Sequence, residues 1–418
     1  MKEKDEAQRV VVTGLGALTP AGLGVVDTWE SLKAGRSGID YLTSVDPTGY
    51  PCVIGGEVKG FKASDYIDAK AVKRMARFTQ FAVVAAEEAL SHAKLDLGAE
   101  DRDRIGVVLG NGNGGYPEIE EGARTLVEKG GMRMSPFFFP MSLPNIAAAQ
   151  VSLTFGLRGP NTTIVTACAS GTQAIGEAAE LIRRGGADVV VTGGIEAGIS
   201  LLGLGGFAVM RALSTSFNDQ PKKASRPFDG LRDGFVPAEG GGILVLESLQ
   251  HALKRDAVPL VEIAGYAATS DAYHVVAPDE DGSGAVKAMQ GAIRDAGLVS
   301  KDVEYINAHG TSTPLNDRIE TIAIKKVFGE RASGVAISST KSMLGHALGG
   351  AGGMEAIATV MTIVEGVIHP TINQEVPAPD CDLDYVPNES RKADVRVAMT
   401  NSFGFGGQNA CVVMSRFE

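Results

Sequence analysis

Asn161-Thr-Thr-Ile-Val-Thr-Ala-Cys-Ala-Ser-Gly171 is the stretch on which the fold and chemistry of this 418-residue chain turn. Its β-branched part, Thr162 to Thr166, predicts a buried strand. Ala167, Ala169, Ser170 and Gly171 are small enough for a tight turn. A helical pattern follows, with Ala174, Ile175, Ala178, Ala179 and Ile182 on one face and Gly185-Gly186 as its stop. Cys168 thus falls between a strand and a helix N-terminus, whose free backbone N–H groups favour thiolate over thiol. An arbitrary free cysteine is more often a small buried hydrophobe; this placement shifts the balance toward a nucleophile.

The same alternation runs outward in both directions. Strands are predicted at Arg9–Gly16, Ile105–Leu109, Val189–Gly193 and Gly242–Glu247, with a helix at Phe78–Ala93 and another at Thr172–Arg184. After a polar linker, His251–Pro259, the pattern restarts: strand Leu260–Ala268, helix Gly284–Ala296, strand Val303–Asn307, helix Glu320–Phe328, strand Val335–Ser339, helix Gly352–Val364, and closing strands Val397–Asn401 and Ala410–Ser415. Alternating strands and helices imply an α/β protein with parallel or mixed sheets covered by helices. Both halves close on strands with no helix between them, which suggests a duplication with halves 1–255 and 256–418.

Composition narrows the class. Hydrophobic content of 44% with 21% charged residues is that of a globular chain with ample core. The 53 glycines cluster in pairs and triples such as Gly240-Gly241-Gly242 and Gly352-Gly353, a sign of tight turns and close backbone packing. Met1–Glu6 is charged without an apolar core, so no signal peptide is expected, and no apolar run is long enough for a membrane span. Cys52, Cys168, Cys381 and Cys411 lack pairing or metal-type spacing. A cytoplasmic, reduced chain with no metal and no membrane is expected. A net charge of −11 disfavours nucleic acid as a partner.

Two histidines join Cys168 as candidates. His309 lies in Asn307-Ala-His-Gly-Thr-Ser-Thr-Pro314 and His346 in Lys341-Ser-Met-Leu-Gly-His346, each just past a predicted strand, where α/β proteins build their sites. Singly, each reads more readily as a hydrogen-bonded structural histidine; His92, His251, His274 and His369 lack the setting. Asn401-Ser-Phe-Gly-Phe-Gly-Gly407 is a glycine loop able to present backbone N–H groups. Gly110-Asn-Gly-Asn-Gly-Gly115 superficially suggests a phosphate loop but lacks the following Lys-Ser/Thr.

Together, Thr166-Ala-Cys-Ala-Ser-Gly171, Asn307–Pro314, Lys341–His346 and Asn401–Gly407 resemble the β-ketoacyl-[acyl-carrier-protein] synthases, the elongating type II branch in particular. Arg211-Ala-Leu-Ser-Thr215, Ser225-Arg-Pro-Phe-Asp229, Ser270-Asp-Ala-Tyr-His274 and Pro370-Thr-Ile-Asn373 support this in the family's order, from about Arg9 to Ser415. The resemblance implies a thiolase-type fold, with two duplicated α/β halves in a five-layer αβαβα arrangement, and a homodimer or a heterodimer with a related subunit. It implies decarboxylative Claisen condensation of an acyl thioester with malonyl-carrier protein through an acyl-Cys168 intermediate. No cofactor is expected, since phosphopantetheine arrives on the carrier protein.

Residue by residue, the resemblance makes Cys168, His309, His346 and Lys341 catalytic. The N–H groups of Cys168 and Phe405 would form an oxyanion hole, with Phe405 also a gate, while Glu355 would pair with Lys341, and Asp317 and Glu320 would support. Thr311, Thr313 and Phe403 would contact the phosphopantetheine arm or substrate. Lys70, Lys73, Arg74, Arg133 and Arg211 match positions that meet the acidic carrier protein, although Lys70–Arg77 reads equally well as a solvated helix face. The residue chemistry agrees: a developing enolate oxygen needs neutral N–H donors, which two imidazoles provide. One departure is Asn113, where the family usually places an apolar residue shaping the acyl pocket. A polar amide there suits an oxygenated or unsaturated chain, as in a type II polyketide or polyene system, unless only the loop shape counts.

Three other readings compete with fatty-acid elongation. A polyketide ketosynthase paired with a chain-length factor shares the motifs. A non-catalytic chain-length factor is disfavoured by Cys168. A thiolase acting on coenzyme A esters would carry a second cysteine in the glycine loop, and Asn401–Gly407 has none.

Overall fold

A computed structural model describes residues 9–418; the reading of Met1–Glu6 lies outside the described residues. Ten strands carry the architecture: β1 (Val10–Thr19), β2 (Ile105–Gly110), β3 (Asn161–Ile164), β4 (Val189–Glu196), β5 (Gly240–Ser248), β6 (Val261–Ser270), β7 (Tyr305–Asn307), β8 (Ala336–Ser338), β9 (Val397–Gly404) and β10 (Gln408–Arg416). Their order is β3-β2-β4-β5-β1 followed by β6-β10-β9-β7-β8. Each set of five therefore runs third, second, fourth, fifth, first. The directions repeat too: the second strand pairs parallel with the third and fourth, and the remaining neighbours are antiparallel. Val11–Glu262 and Val12–Val261 join the two sets into one sheet.

Helices sort into three layers around these strands. α1 (Arg77–His92) and α2 (Ile146–Phe155) cover the outer face of the first set; α4 (Ser283–Asp295) and α5 (Pro314–Phe328) cover that of the second; α3 (Ser170–Arg183) and α6 (Ala351–Glu365) fill the middle. Strand alternation explains the layering. Val107 and Leu109 of β2 face α1 residues such as Phe81 and Ala85, while Val108 between them faces the central cluster with Ala174, Ala178 and Ile357. On β10, Val412 faces the centre and Val413 packs with Ala288 and Ala292 of α4. Each buried Val, Leu or Ile contributes roughly 1.5–3 kcal/mol.

The two central helices start side by side, and glycine makes this possible. A Cβ on Gly171 would stand 2.9 Å from both the Gly349 oxygen and the Gly353 nitrogen. α3 follows the turn bearing Cys168 and α6 follows the longer loop bearing His346, so the two converge at one place.

The fold departs from the sequence reading at several points, one being a helix, Leu201–Val209, between the two strands that close the first half. The stretch Thr162–Thr166 is not a buried strand: β3 spans Asn161–Ile164, bonds to β2 on one side only, and its first residues are exposed. Its β-branched residues serve an edge. The segment His251–Pro259 is not all linker, because Leu249–Lys254 is a short helix capped by Ser248 Oγ. The helix read from Glu320 begins six residues earlier at Pro314, with Thr313 as its N-cap; proline at the first helical position hides nothing, since its N–H would be unpaired there.

Candidate active site

Cys168 sits in a single turn, Ala167–Ala169, directly before α3, and is buried. A Cβ on Gly404, at the end of β9, would lie 2.6 Å from the Thr166 oxygen and 3.3 Å from the Cys168 nitrogen, so a glycine there lets the 401–407 loop press against the thiol turn. The N–H groups of Phe405 and Cys168 are aimed at the sulfur. Both favour thiolate, as does Lys341, but burial outweighs them and pushes the Cys168 thiol up to about 11. The backbone N–H groups thus act in the direction that the helix N-terminus predicts, and burial is the larger influence on the thiol. Burial also pushes up Cys52, Cys381 and Cys411. Cys168 is set apart by what it faces.

It faces a histidine. His346 Nε2 lies 3.1 Å from Cys168 Sγ. The His309 ring stands edge-on to that of His346 at 5.4 Å between centroids, and Phe403 and Phe235 press on His309 and His346 respectively. Burial and the Lys341 charge hold both imidazoles well below their ordinary value, so both are neutral at pH 7.

Lys341 is buried and donates to the His309 carbonyl oxygen (2.7 Å), to His309 Nδ1 (3.3 Å) and to Glu355. Burial raises Glu355, with Lys341 opposing. Glu320 accepts the backbone N–H groups of His309 (2.9 Å) and Gly310 (2.8 Å), fixing that loop; burial lifts it to about 7. Asp317 accepts the N–H of Phe228 at 2.8 Å and is lifted by burial to about 6.

Cys168, His309, His346, Phe403, Phe405, Thr311 and Thr313 all line one cavity of about 310 Å³. Thr311 and Thr313 bond to each other through their hydroxyls at 2.9 Å. Arg211 lines it too, beside Met210, in a left-handed conformation (φ 56°). Lys70, Lys73, Arg74 and Arg133 are exposed and lie outside the lining; Arg74 spreads over the Phe137 ring at 5.4 Å. Asn113 is also outside it. Its N–H donates to Glu196 at 3.2 Å, and its side-chain nitrogen is buried without a partner among the described residues. That amide borders Gly198, which belongs to a small apolar recess behind His346 lined also by Phe207, Phe235 and Leu348.

The lining also holds residues that the sequence reading passed over. Phe235 and Leu348 come from loops with no chemical signature, and Asp271, bonded to Asn409 at 2.7 Å, faces the cavity from the segment quoted above only as supporting. Glu196 gave no signal because a single acid at a strand end is unremarkable in sequence. The Sγ, Nε2 and Nδ1 atoms of Cys168, His309 and His346 include a set lying within 4.8 Å of one another, a grouping that could hold a soft cation, with the Lys341 charge opposing it.

A nucleophile, two neutral imidazoles and a pair of backbone donors around an apolar cavity can capture an acyl group and stabilise an enolate. The comparisons agree with that chemistry. Residues 7–252 match the β-ketoacyl synthase N-terminal domain and residues 260–375 its C-terminal domain. The chain belongs to the β-ketoacyl synthase family, a class of condensing acyltransferases. Among its relatives, 3-oxoacyl-[acyl-carrier-protein] synthase 2 of Staphylococcus aureus is 51% identical over 98% of this chain and 99% of that one, and the enzyme of the same name from Synechocystis sp. is 51% identical over 99% of both. Solved structures of similar shape include a type II polyketide acyl-carrier protein in complex with its ketosynthase bound to the hexaketide (TM-score 0.90, 37% identity, 98% of this chain and 99% of that one). A second is the ishigamide ketosynthase/chain length factor (TM-score 0.91, 33% identity, again 98% and 99%). Among the described residues, no helix is long and apolar enough to cross a membrane.

Proposed function

We propose that this chain elongates acyl chains in fatty-acid synthesis by decarboxylative condensation with malonyl-carrier protein. The observation that carries the reading is the 3.1 Å contact of Cys168 Sγ with a neutral His346, inside a cavity that also holds the Nε2 face of His309. The S–H proton passes to His346 Nε2 as sulfur attacks the acyl thioester carbonyl. The N–H groups of Cys168 and Phe405 hold the oxyanion, and the departing phosphopantetheine thiol takes the proton. The malonyl C–C bond then breaks, CO₂ leaves, and the electron pair resides on an enolate oxygen held by imidazole N–H groups. The enolate carbon attacks the acyl thioester on Cys168; the C–C bond forms, the C–S bond breaks, and the sulfur leaves as a thiolate that takes one proton from solvent.

In the same reading the site takes no cofactor, Thr311 and Thr313 receive the phosphopantetheine arm, Phe405 gates it, and Arg211 with the Lys70–Arg74 and Arg133 cations meets an acidic acyl carrier protein in the cytoplasm. The division falls between a half with the thiol (1–255) and a half with the histidines (256–418), and acyl capture draws on both. A second copy of the chain is the assembly partner. β3 leaves one edge unpaired among the described residues, and Leu153 and Val165 are exposed on the segments next to it, with Leu126, Val127, Met132 and Phe139 also exposed in the same half.

Mass spectrometry after incubation with acyl-carrier protein tests the reading. The acyl group should reside on Cys168, and Cys168→Ala should lose both acyl capture and condensation. Full condensation by that variant would remove Cys168 as the nucleophile.

A further inference from the structure

Glu196 is a buried carboxyl at the edge of the site to which the condensation scheme gives no task. It ends β4 at a junction of three loops. From the loop after β2, the N–H groups of Gly112 and Asn113 donate to its Oε2 at 2.9 and 3.2 Å, and Asn111 Nδ2 approaches Oε1 at 3.5 Å. From the loop that carries His346 and Leu348, the Gly349 N–H donates to the same carboxyl. A Cβ on Gly112 would stand 2.9 Å from Glu196 Oε2, 3.3 Å from the Gly349 nitrogen and 3.6 Å from the Ala167 oxygen, the residue before the nucleophile. Ala167 (φ 49°) and Leu348 (φ 45°) flank this junction in left-handed conformations that a Cβ disfavours. Such strain persists where surroundings over-determine it.

We propose that Glu196 is a positioning residue for condensation, tying the Asn111–Asn113 wall to the His346 loop and thereby setting His346 against Cys168. The inference rests on the roles given above to Cys168 and His346. A carboxylate has acceptors only, and it can satisfy both loops at once. An amide keeps one acceptor oxygen, carries no charge and turns an N–H₂ group toward the remaining donors, so its hold on at least one loop weakens. A buried N–H left unpaired is costly, so that loop shifts.

The test compares wild type with E196Q, Cys168 having been acylated beforehand. Single-turnover condensation should be about tenfold slower, while the near-UV circular dichroism spectrum should stay that of wild type. A pH profile supplies a signature that mere structural support would not move. The carboxyl faces backbone N–H donors and the Asn111 amide, and burial lifts it to about 8. Ionisation tightens the clamp, so wild-type condensation should rise through a limb near pH 8 that E196Q lacks. Cys168 titrates higher and the two imidazoles far lower, while Glu320, lifted to about 7, is the same in both proteins. Equal condensation rates overturn the proposal. So does a slowing accompanied by loss of the native near-UV spectrum, which reports global damage. If E196Q does not fold, the wild-type profile decides, and absence of the limb near 8 overturns the proposal. Failure of wild type to acylate at all counts instead against the condensation reading.

Discussion

Lys341 Nζ lies 3.3 Å from Nδ1 of His309. An ammonium only donates, so Nδ1 is the acceptor and the single proton of the neutral ring sits on Nε2. Lys341 thus decides that His309 offers an N–H, rather than a lone pair, to the cavity. The Nδ1 of His346 has no such partner among the described residues. His346 is therefore free to accept the thiol proton in one half-reaction and to donate in the other.

Lys341→Met removes this control and leaves Glu355 buried without its counter-charge. Stability should fall by about 3–5 kcal/mol in urea titrations, the range for breaking one side of a buried pair. The double variant Lys341→Met, Glu355→Gln should recover most of that stability but not the condensation rate. A folded double variant with normal turnover would show that Lys341 does not govern His309.

The two histidines should separate kinetically. Losing one neutral donor to the enolate costs about 10²–10³ in rate, so His309→Ala and His346→Ala should both suffer in condensation. His346 alone touches the sulfur. Because Cys168 rests as a thiol, His346→Ala should also slow acylation, whereas His309→Ala should acylate nearly normally. Equal acylation by the two variants would assign the thiol proton to another acceptor.

How much of this was legible in sequence depended on whether a feature was local. The strand-turn-helix around Cys168 and the loops bearing His309 and His346 were readable because period and turn residues are short-range signals. The edge position of β3 was not, since Thr162 and Thr163 are β-branched whether a strand is central or marginal. Nor was the thiol's resting state: the helix N-terminus is local, but the burial that overrides it comes from both halves of the chain. Glu196 and Phe235 acquire meaning only when loops far apart in sequence meet. The spacing of Lys70, Lys73 and Arg74 places cations on a surface, and of the five basic candidates only Arg211 lines the cavity itself.

Stability should depend on pH through a cluster away from the cavity. His251 bonds to Glu247 at 2.6 Å and to Glu100 at 2.9 Å, and Arg255 and Thr13 also bond to Glu247. The hydrogen bond that His251 donates to Glu247 raises His251, so its contribution is full below the unfolded value near 6.5 and is lost as pH rises through the folded value. Glu247, despite burial, is held down to about 2 by Arg255, His251 and Thr13, so its contribution is present above the unfolded value of about 4.3 and is lost as pH falls toward 2. Thermal unfolding should therefore be most resistant between about pH 5 and 6.5. His251→Ala should flatten the alkaline decline and leave the acid limb mostly intact. An alkaline limb identical in the variant would assign that decline elsewhere.

The last prediction concerns Asn113, whose amide nitrogen is buried without a partner beside Gly198 and the recess behind His346. Leaving an amide unpaired costs roughly 1–3 kcal/mol. A saturated chain entering that recess offers the amide nothing, whereas a substrate oxygen or a retained water can accept from it. Asn113→Ile should then favour saturated acyl-carrier proteins of medium length over oxygenated or polyene ones. The expected change in relative kcat/KM is about tenfold, equivalent to ~1.4 kcal/mol of differential binding. The placement of Asn113 also sharpens the control. Its backbone N–H is held by Glu196, so the loop should keep its course when the side chain changes, and Cys168 alkylation should be unaltered. Competition between saturated and oxygenated carriers reads the outcome directly. An unchanged ranking would mean that Asn113 shapes the loop without sensing the chain, and the fatty-acid reading would then stand with no polar bias in its acyl pocket.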